Sequence, residues 1–448
     1  MAKKKSKGKF IAFLVAGLGV FVLGFVLGFG GLIYLNAPQY DELKVNGVPI
    51  EEVNDTFYRD NDKSLDVKTA DVGYQPETET NTAETTDHGD ETQSETVHNN
   101  LAVENAGISI HFLELGNKYT GDCTYIKTDT CDILIDCGSK ATSVPYVSAY
   151  LNQYVSDGKL EYVIITHAHE DHYAGFATSK FEESIFGLYE CQTIITFSQT
   201  NQKPTSTKYK NYVTNLNQEI ASGAHHYTAL ECVNGAMEEG TAVDGDNPQA
   251  VFNVGSHVTM TIVNSLFYTK KASTENDYSV CTLFTYDEGV HSHNYFFSGD
   301  LEKEGEDWLA ANAGLPTKVD LYKAGHHGSK TSSNENLMAV LQPKTICVCC
   351  CAGSPEYTKT NENQFPTQAF IDRVAQYTTD VYVTTLCLDY KATDPEKQFT
   401  SMNGNIVFLA KLDTIDLKFS NNSVRLKDTE WFKTTRTIPN AWRQETGV

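Results

Sequence analysis

Thr166-His167-Ala168-His169-Glu170-Asp171-His172-Tyr173-Ala174-Gly175 packs three histidines and an aspartate into one H-x-H-x-D-H run. The preceding Leu160-Glu161-Tyr162-Val163-Ile164-Ile165 reads as a buried strand. A strand ending in such a run aims neutral imidazoles and a carboxylate into one small space. That is a ligand set for borderline cations such as Zn²⁺ or Mn²⁺. The chain holds only 13 histidines in 448 residues, so chance clustering in a polar loop is a poor account of the run.

Three more apolar stretches end in polar clusters. Asp132-Ile133-Leu134-Ile135 runs into Asp136-Cys137-Gly138, Tyr295-Phe296-Phe297 into Ser298-Gly299-Asp300, and Val319-Asp320-Leu321-Tyr322-Lys323 into Ala324-Gly325-His326-His327-Gly328-Ser329. The C-terminal ends of strands are where an α/β scaffold carries function.

H-x-H-x-D-H after an apolar strand resembles the metallo-β-lactamase fold superfamily. The match narrows to the hydrolase domain of competence proteins of the ComEC/Rec2 type. It is carried by His111-Phe112-Leu113-Glu114-Leu115-Gly116, Gly121-Asp122-Cys123-Thr124, Asn276-Asp277-Tyr278-Ser279, Ser298-Gly299-Asp300-Leu301, His326-His327-Gly328-Ser329-Lys330-Thr331-Ser332 and Asn403-Gly404-Asn405-Ile406. These span residues 106–412 in the family's order. The resemblance implies an αββα sandwich of two mixed sheets with helices outside, and the strand and helix signals along 107–386 fit that architecture.

By the same resemblance His167 and His169 hold one divalent cation, Asp171, His172 and His326 hold a second, and Asp300 bridges them. Two cations, Zn or Mn, clamp a phosphoryl or acyl oxygen and acidify water so that a nucleophile exists at neutral pH. His327 takes a supporting or acid role, so Asp171, His327 and Lys330 are the candidates for catalysis. Ser329, Lys330 and Ser332, hydroxyls and an ammonium beside two cations, suit a substrate phosphate. Asp136 and Asp122 hold the metal loop and the opening hairpin in place. A third protein ligand for the first cation is not evident; His225, His226 and His257 are candidates by order alone. The stretch 355–366 departs from the family, which usually offers a Gly-His-Pro-type loop there, and the histidine is absent.

Residues 10–35 are uncharged and follow Lys3, Lys4, Lys5, Lys7 and Lys9. The expectation is a basic cytoplasmic tail over 1–9, a transmembrane helix over 10–35 and an extracellular hydrolase domain over 106–448. Residues 36–105 read as an extracellular acidic linker. Within it, 37–100 carry 16 acidic and 4 basic residues, too polar to offset chain entropy by burial. Such a coil reaches roughly 40–50 Å on average. The formal net charge of −23 disfavours long polyanions such as duplex DNA, leaving nucleic acid possible but not favoured.

The 11 cysteines read mostly as small buried hydrophobes. Cys347 and Cys350, three apart on a strand, face opposite ways. Residues 180–250 show little apolar periodicity and read as an insertion beside the cleft. The expected function is a membrane-anchored, outward-facing dinuclear phosphodiesterase acting on nucleic acid or cell-wall phosphodiesters. The alternatives are an ester, lactone or lactam hydrolase, and a non-catalytic surface protein that keeps a metal site.

Overall fold

The computed structural model describes residues 44–45, 48–49, 106–203, 205–235, 249–289, 291–411 and 414–443. The basic tail, the apolar span 10–35 and nearly all of the acidic linker lie outside the described residues. Among the described residues no helix is long and apolar enough to cross a membrane. In the first 98 residues only a short antiparallel pair, Lys44–Val45 with Val48–Pro49, is described. Residues 99–448 form one compact unit.

That unit is built on two eight-stranded mixed sheets. The first contains β1 (Ile108–Phe112), β2 (Thr124–Thr128), β3 (Asp132–Ile135), β4 (Lys159–Ile165), β5 (Glu190–Thr196) and β6 (His225–Thr228). The second contains β7 (Val251–Gly255), β8 (Val258–Val263), β9 (Cys281–Asp287), β10 (Ser292–Phe297), β11 (Leu321–Lys323), β12 (Thr345–Ala352), β13 (Val381–Cys387) and β14 (Phe399–Ser401). The chain then returns to the first sheet as β15 (Ile406–Ala410), which pairs antiparallel with β1, and β16 (Ile415–Phe419). Each sheet has a parallel run, β3 to β6 in the first and β10 to β13 in the second. The function-bearing clusters leave from these runs.

Side-chain alternation fixes the layers. In β10, Tyr295 and Phe297 enter the core between the sheets while Phe296 enters the core on the other face. Tyr295 meets Phe408 of the first sheet, ring centres 5.4 Å apart. The other face is covered by α4 (Lys303–Asn312), α5 (Glu335–Leu341) and α6 (Gln368–Val374), reached after α1 (Val144–Leu151), α2 (Glu170–Tyr173) and α3 (Thr207–Ser222) along the chain. Cys347 and Cys349 face the inter-sheet core, and Cys350 faces the helices. Buried apolar surroundings raise all three thiols, so they pack as hydrophobes.

Residues 180–203 and 205–235 carry more regular structure than their sequence indicates. They add β5, the 16-residue α3 and β6 to the edge of the first sheet. The inner face of α3 includes Asn215 and Glu219, whose side chains satisfy Phe176 and Thr178 carbonyls and the Cys191 amide. Those polar core positions dilute the apolar period.

Candidate metal centre

The four polar clusters converge at the ends of β3, β4, β10 and β11. The descent of the chain from β4 is shaped by Asp136, which accepts from the Thr166 amide at 2.8 Å and the Thr166 hydroxyl at 2.7 Å. Its Oδ2 also accepts from His172 Nδ1 at 2.7 Å. One carboxylate thus fixes both ends of the H-x-H-x-D-H run. The close approach needs glycine at 138, where a Cβ would lie 1.8 Å from the Asp171 carbonyl oxygen. The Asp122 amide donates to that same carbonyl at 2.9 Å.

Two groups of donor atoms result. In the first, His167 Nε2 and His169 Nδ1 lie 3.1 Å apart, with burial and the neighbouring histidines holding His167 well below its usual pKa. In the second, Asp300 Oδ2 lies 3.1 Å from His172 Nε2 and 3.3 Å from His327 Nε2, and Asp171 Oδ2 lies 3.4 Å from His327 Nε2. The His167 and His172 rings are tilted by 51° with centres 4.2 Å apart, which places the two groups side by side.

Buried polar atoms normally find partners. Here His172 Nε2, His327 Nε2 and Asp300 Oδ1 are buried without a hydrogen bond. Orphaned imidazole nitrogens facing carboxylates are what a cation satisfies, so the residues present fit divalent metal. Burial opposes charge on His172, but the carboxylates of Asp300 and Asp136 push its pKa up to about 10. Burial likewise opposes charge on His327, and Asp300 and Asp122 raise it well above the ordinary value.

The structure reverses the order of the adjacent histidines. His327, not His326, turns its Nε2 into the centre. Its Nδ1 donates to the Cys349 carbonyl at 2.9 Å, which fixes the ring. His326 Nε2 is 4.0 Å from Asp300, and its Nδ1 lies 3.0 Å from the Thr331 hydroxyl. The His326 side chain is 21% exposed against 1% for His327. The reversal comes from the backbone. His326 at φ 47° and His327 at φ 55° are both left-handed, a conformation no strand or helix pattern announces.

Ser332 also differs from expectation. Its hydroxyl is buried and donates to the Leu301 carbonyl at 2.7 Å, so it braces the loop instead of facing substrate. Ser329 Oγ lies 3.1 Å from Thr331 Oγ1, and Lys330 is exposed with Nζ 3.4 Å from Asn363 Oδ1. Arg373 donates to the carbonyls of Ser329, Lys330, Ser332 and Ser333, holding the turn. His225 and His226 lie on edge strand β6, where His226 meets Thr196 at 2.9 Å, and His257 lies between β7 and β8; none is among the side chains that meet at the centre.

Asp122, His172, Asp300 and His327 offer atoms within 4.8 Å of one another. Asp122, however, faces the Nδ1 side of both rings, 3.2 Å from His327 and 3.8 Å from His172. It is also ion-paired with the buried ammonium of Lys323. It therefore stands behind the histidines as an orienting group. Lys323 Nζ lies 3.7 Å from Asp300 Oδ1 as well. Sequence reasoning missed Lys323, although a lysine in an otherwise apolar buried strand was its signal. It also missed Glu275, which accepts from the Ala168 amide at 3.2 Å between the first two histidines. Tyr357, whose hydroxyl donates to Asp171 Oδ2 at 2.7 Å, was missed too.

Residues 116–284 match the family described as Metallo-beta-lactamase superfamily. The chain is 46% identical over 55 residues to ComE operon protein 3 of Bacillus subtilis, covering 12% of this chain and 7% of that protein. It is 29% identical over 104 residues to Recombination protein 2 of Haemophilus influenzae, covering 23% and 12%. The chain thus spans only a small fraction of either relative. Among solved structures it is similar to the metallo-beta-lactamase fold protein YhfI from Bacillus subtilis, with TM-score 0.32, 13% identity and coverage of 62% of this chain and 96% of that one. It is also similar to the diiron beta-hydroxylase CmlA from Streptomyces venezuelae, with TM-score 0.28, 11% identity and coverage of 54% and 44%. The superfamily match thus covers residues 116–284, which include the H-x-H-x-D-H run, and short stretches of the chain are similar to the two ComEC/Rec2-type relatives.

Proposed function

We propose that the domain is a dinuclear phosphodiesterase, anchored to the membrane by residues 10–35 and facing outward. The observation that carries the metal reading is the convergence of two orphaned imidazole nitrogens and an orphaned carboxylate oxygen in one buried space. His167 Nε2 and His169 Nδ1 would be the donors for one cation and Asp171, His172 Nε2 and His327 Nε2 for the other, and Asp300, whose Oδ2 lies beside His172 and His327, would bridge the two. Two bound divalent cations, Zn or Mn, would acidify water and stabilise charge on the attacked group.

The chain's own residues do the rest. Asp136 accepts the Nδ1–H of His172 and the Cys349 carbonyl accepts that of His327, with Asp122 Oδ1 3.2 Å from the same His327 nitrogen, an arrangement that directs each Nε2 inward. Lys330 and Ser329, on the turn that follows His327, would supply a charge and a hydroxyl to a substrate. They favour a substrate that stays negative through the transition state, which supports a phosphodiester over a lactam. The similarity to a protein named for recombination supports nucleic acid as one substrate class, and an outward-facing domain would support a wall phosphodiester as the other. The acidic chain favours short or single-stranded polymers over duplex DNA.

The test is an activity comparison on the full chain with bis-p-nitrophenyl phosphate, single-stranded DNA and nitrocefin. The reading expects phosphodiester cleavage to exceed lactam cleavage by orders of magnitude, and Lys330→Ala to weaken it. Efficient nitrocefin turnover without phosphodiester cleavage would promote the lactam reading. Protease added to intact cells should release the domain by cutting within 77–99; protection until lysis would reverse the topology.

A further inference from the structure

The loop from Gly353 to Thr367 closes over the second donor group from outside both sheets' strand ends. Its two ends are tied together by the Gly353 amide on the Phe365 carbonyl at 2.9 Å. Arg436 clamps it further, donating to the carbonyls of Gln364 at 2.7 Å and Pro366 at 3.1 Å. It is joined to the loop between β1 and β2 where Glu356 Oε2 accepts from the Thr120 amide at 2.9 Å. It is joined to the His327 turn where the Thr367 amide donates to the Gly328 carbonyl at 2.9 Å. Phe365 packs on both His326 and His327, ring centres 5.7 Å away in each case, and on Tyr357 at 5.5 Å.

A loop so braced holds one polar group over the centre: the Tyr357 hydroxyl, 2.7 Å from Asp171 Oδ2. Asp171, in the short helix α2, is the more exposed of the two donor carboxylates, its side chain 14% accessible against 2% for Asp300. A free carboxylate can grip a cation with one oxygen or both. A phenol O–H occupying a lone pair of Oδ2 fixes the carboxylate plane and keeps one oxygen only partly available.

We propose that Tyr357 is a positioning residue for the second cation. Its hydroxyl holds Asp171 in the orientation that binds metal through a single oxygen, and so keeps a coordination position open for substrate. This rests on the dinuclear reading above. The loop 353–367 then acts as a strut between the two halves of the domain that sets the grip on one cation and not the other.

The experiment compares the full chain with Tyr357→Phe, which removes only the hydroxyl, and Tyr357→Leu, which also removes the ring on Phe365. Each is loaded with Zn²⁺ by equilibrium dialysis, and the affinities of the tighter and the weaker ion are measured by chelator competition, with circular dichroism as a check on folding. The inference expects Tyr357→Phe to loosen one ion by about tenfold or more while the other changes by less than about threefold. Tyr357→Leu should do the same or worse. Wild-type affinities for both ions in Tyr357→Phe would overturn it, as would an effect confined to Tyr357→Leu, which would assign the role to ring packing. A wild-type chain that binds no Zn²⁺ would sink this inference together with the dinuclear reading, whereas binding that Tyr357→Phe leaves unmoved sinks this inference alone.

Discussion

Asp136 Oδ2 accepts a hydrogen bond from His172 Nδ1 at 2.7 Å while its Oδ1 holds the Thr166 amide at 2.8 Å, so one buried carboxylate sets both the backbone and the imidazole of the metal loop. Asp136 has φ 59°, a conformation that asparagine tolerates. Asp136→Asn should therefore keep the fold and lose the charge behind His172. Metal affinity should fall by about 10–100-fold, read by chelator competition. An unchanged affinity would show that the charge on Asp136 is dispensable.

The adjacent histidines separate cleanly. His327→Ala removes an Nε2 that lies 3.3 Å from Asp300 and 3.4 Å from Asp171, and should cost the chain about one bound cation. His326→Ala removes a partly exposed ring held by Thr331 and should leave both ions in place. Metal analysis of the two variants decides it, and the reverse pattern would restore His326 as the ligand.

Lys323 is buried with its ammonium on Asp122 and near Asp300. Lys323→Met leaves Asp122 as an uncompensated buried charge, a loss on the order of 3–5 kcal/mol. Urea unfolding should show it as a lower midpoint. Adding Asp122→Asn should recover part of the loss, and additive losses in the double variant would contradict the pairing.

Glu306 carries a pH dependence of its own. It is buried, receives the Ser333 amide at 2.7 Å and the Asn334 amide at 2.8 Å, and burial pushes its pKa from 4.5 up to about 7. The folded chain thus holds this proton more tightly than the unfolded one. The stabilising contribution is complete below pH 4.5 and is lost as pH rises through about 7. Glu306→Gln should flatten the fall in unfolding midpoint between those values. A wild-type slope in the variant would remove Glu306 as its source.

Much of this centre is legible in the chain because each cluster ends an apolar strand: His167 after β4, Asp300 after β10, His327 after β11. Strand ends are readable from apolar runs, and metal-binding side chains are rare enough to stand out. The choice between His326 and His327 was not readable, because it turns on two left-handed residues whose identities do not demand that backbone. Ser332 was misread for the same reason, since proximity along the chain does not say which way a hydroxyl points. Lys323 and Tyr357 act through contacts with Asp122 and Asp171 that are distant in sequence, and no local pattern encodes them. The anchor and linker expected over 10–105 lie outside the described residues apart from the short pair at 44–49.

The central claim is that Asp300 joins two cations held by the two donor groups. Its most direct test is the metal content of the full chain, purified without chelator, beside Asp300→Asn. An amide keeps the shape of the carboxylate but cannot bridge two cations as an anion does. The wild-type chain should carry about two divalent ions and Asp300→Asn about one or fewer, with loss of most hydrolysis and the fold intact. Less than about half an equivalent of metal in the wild type, or Asp300→Asn with full metal content and activity within about threefold of wild type, would contradict it.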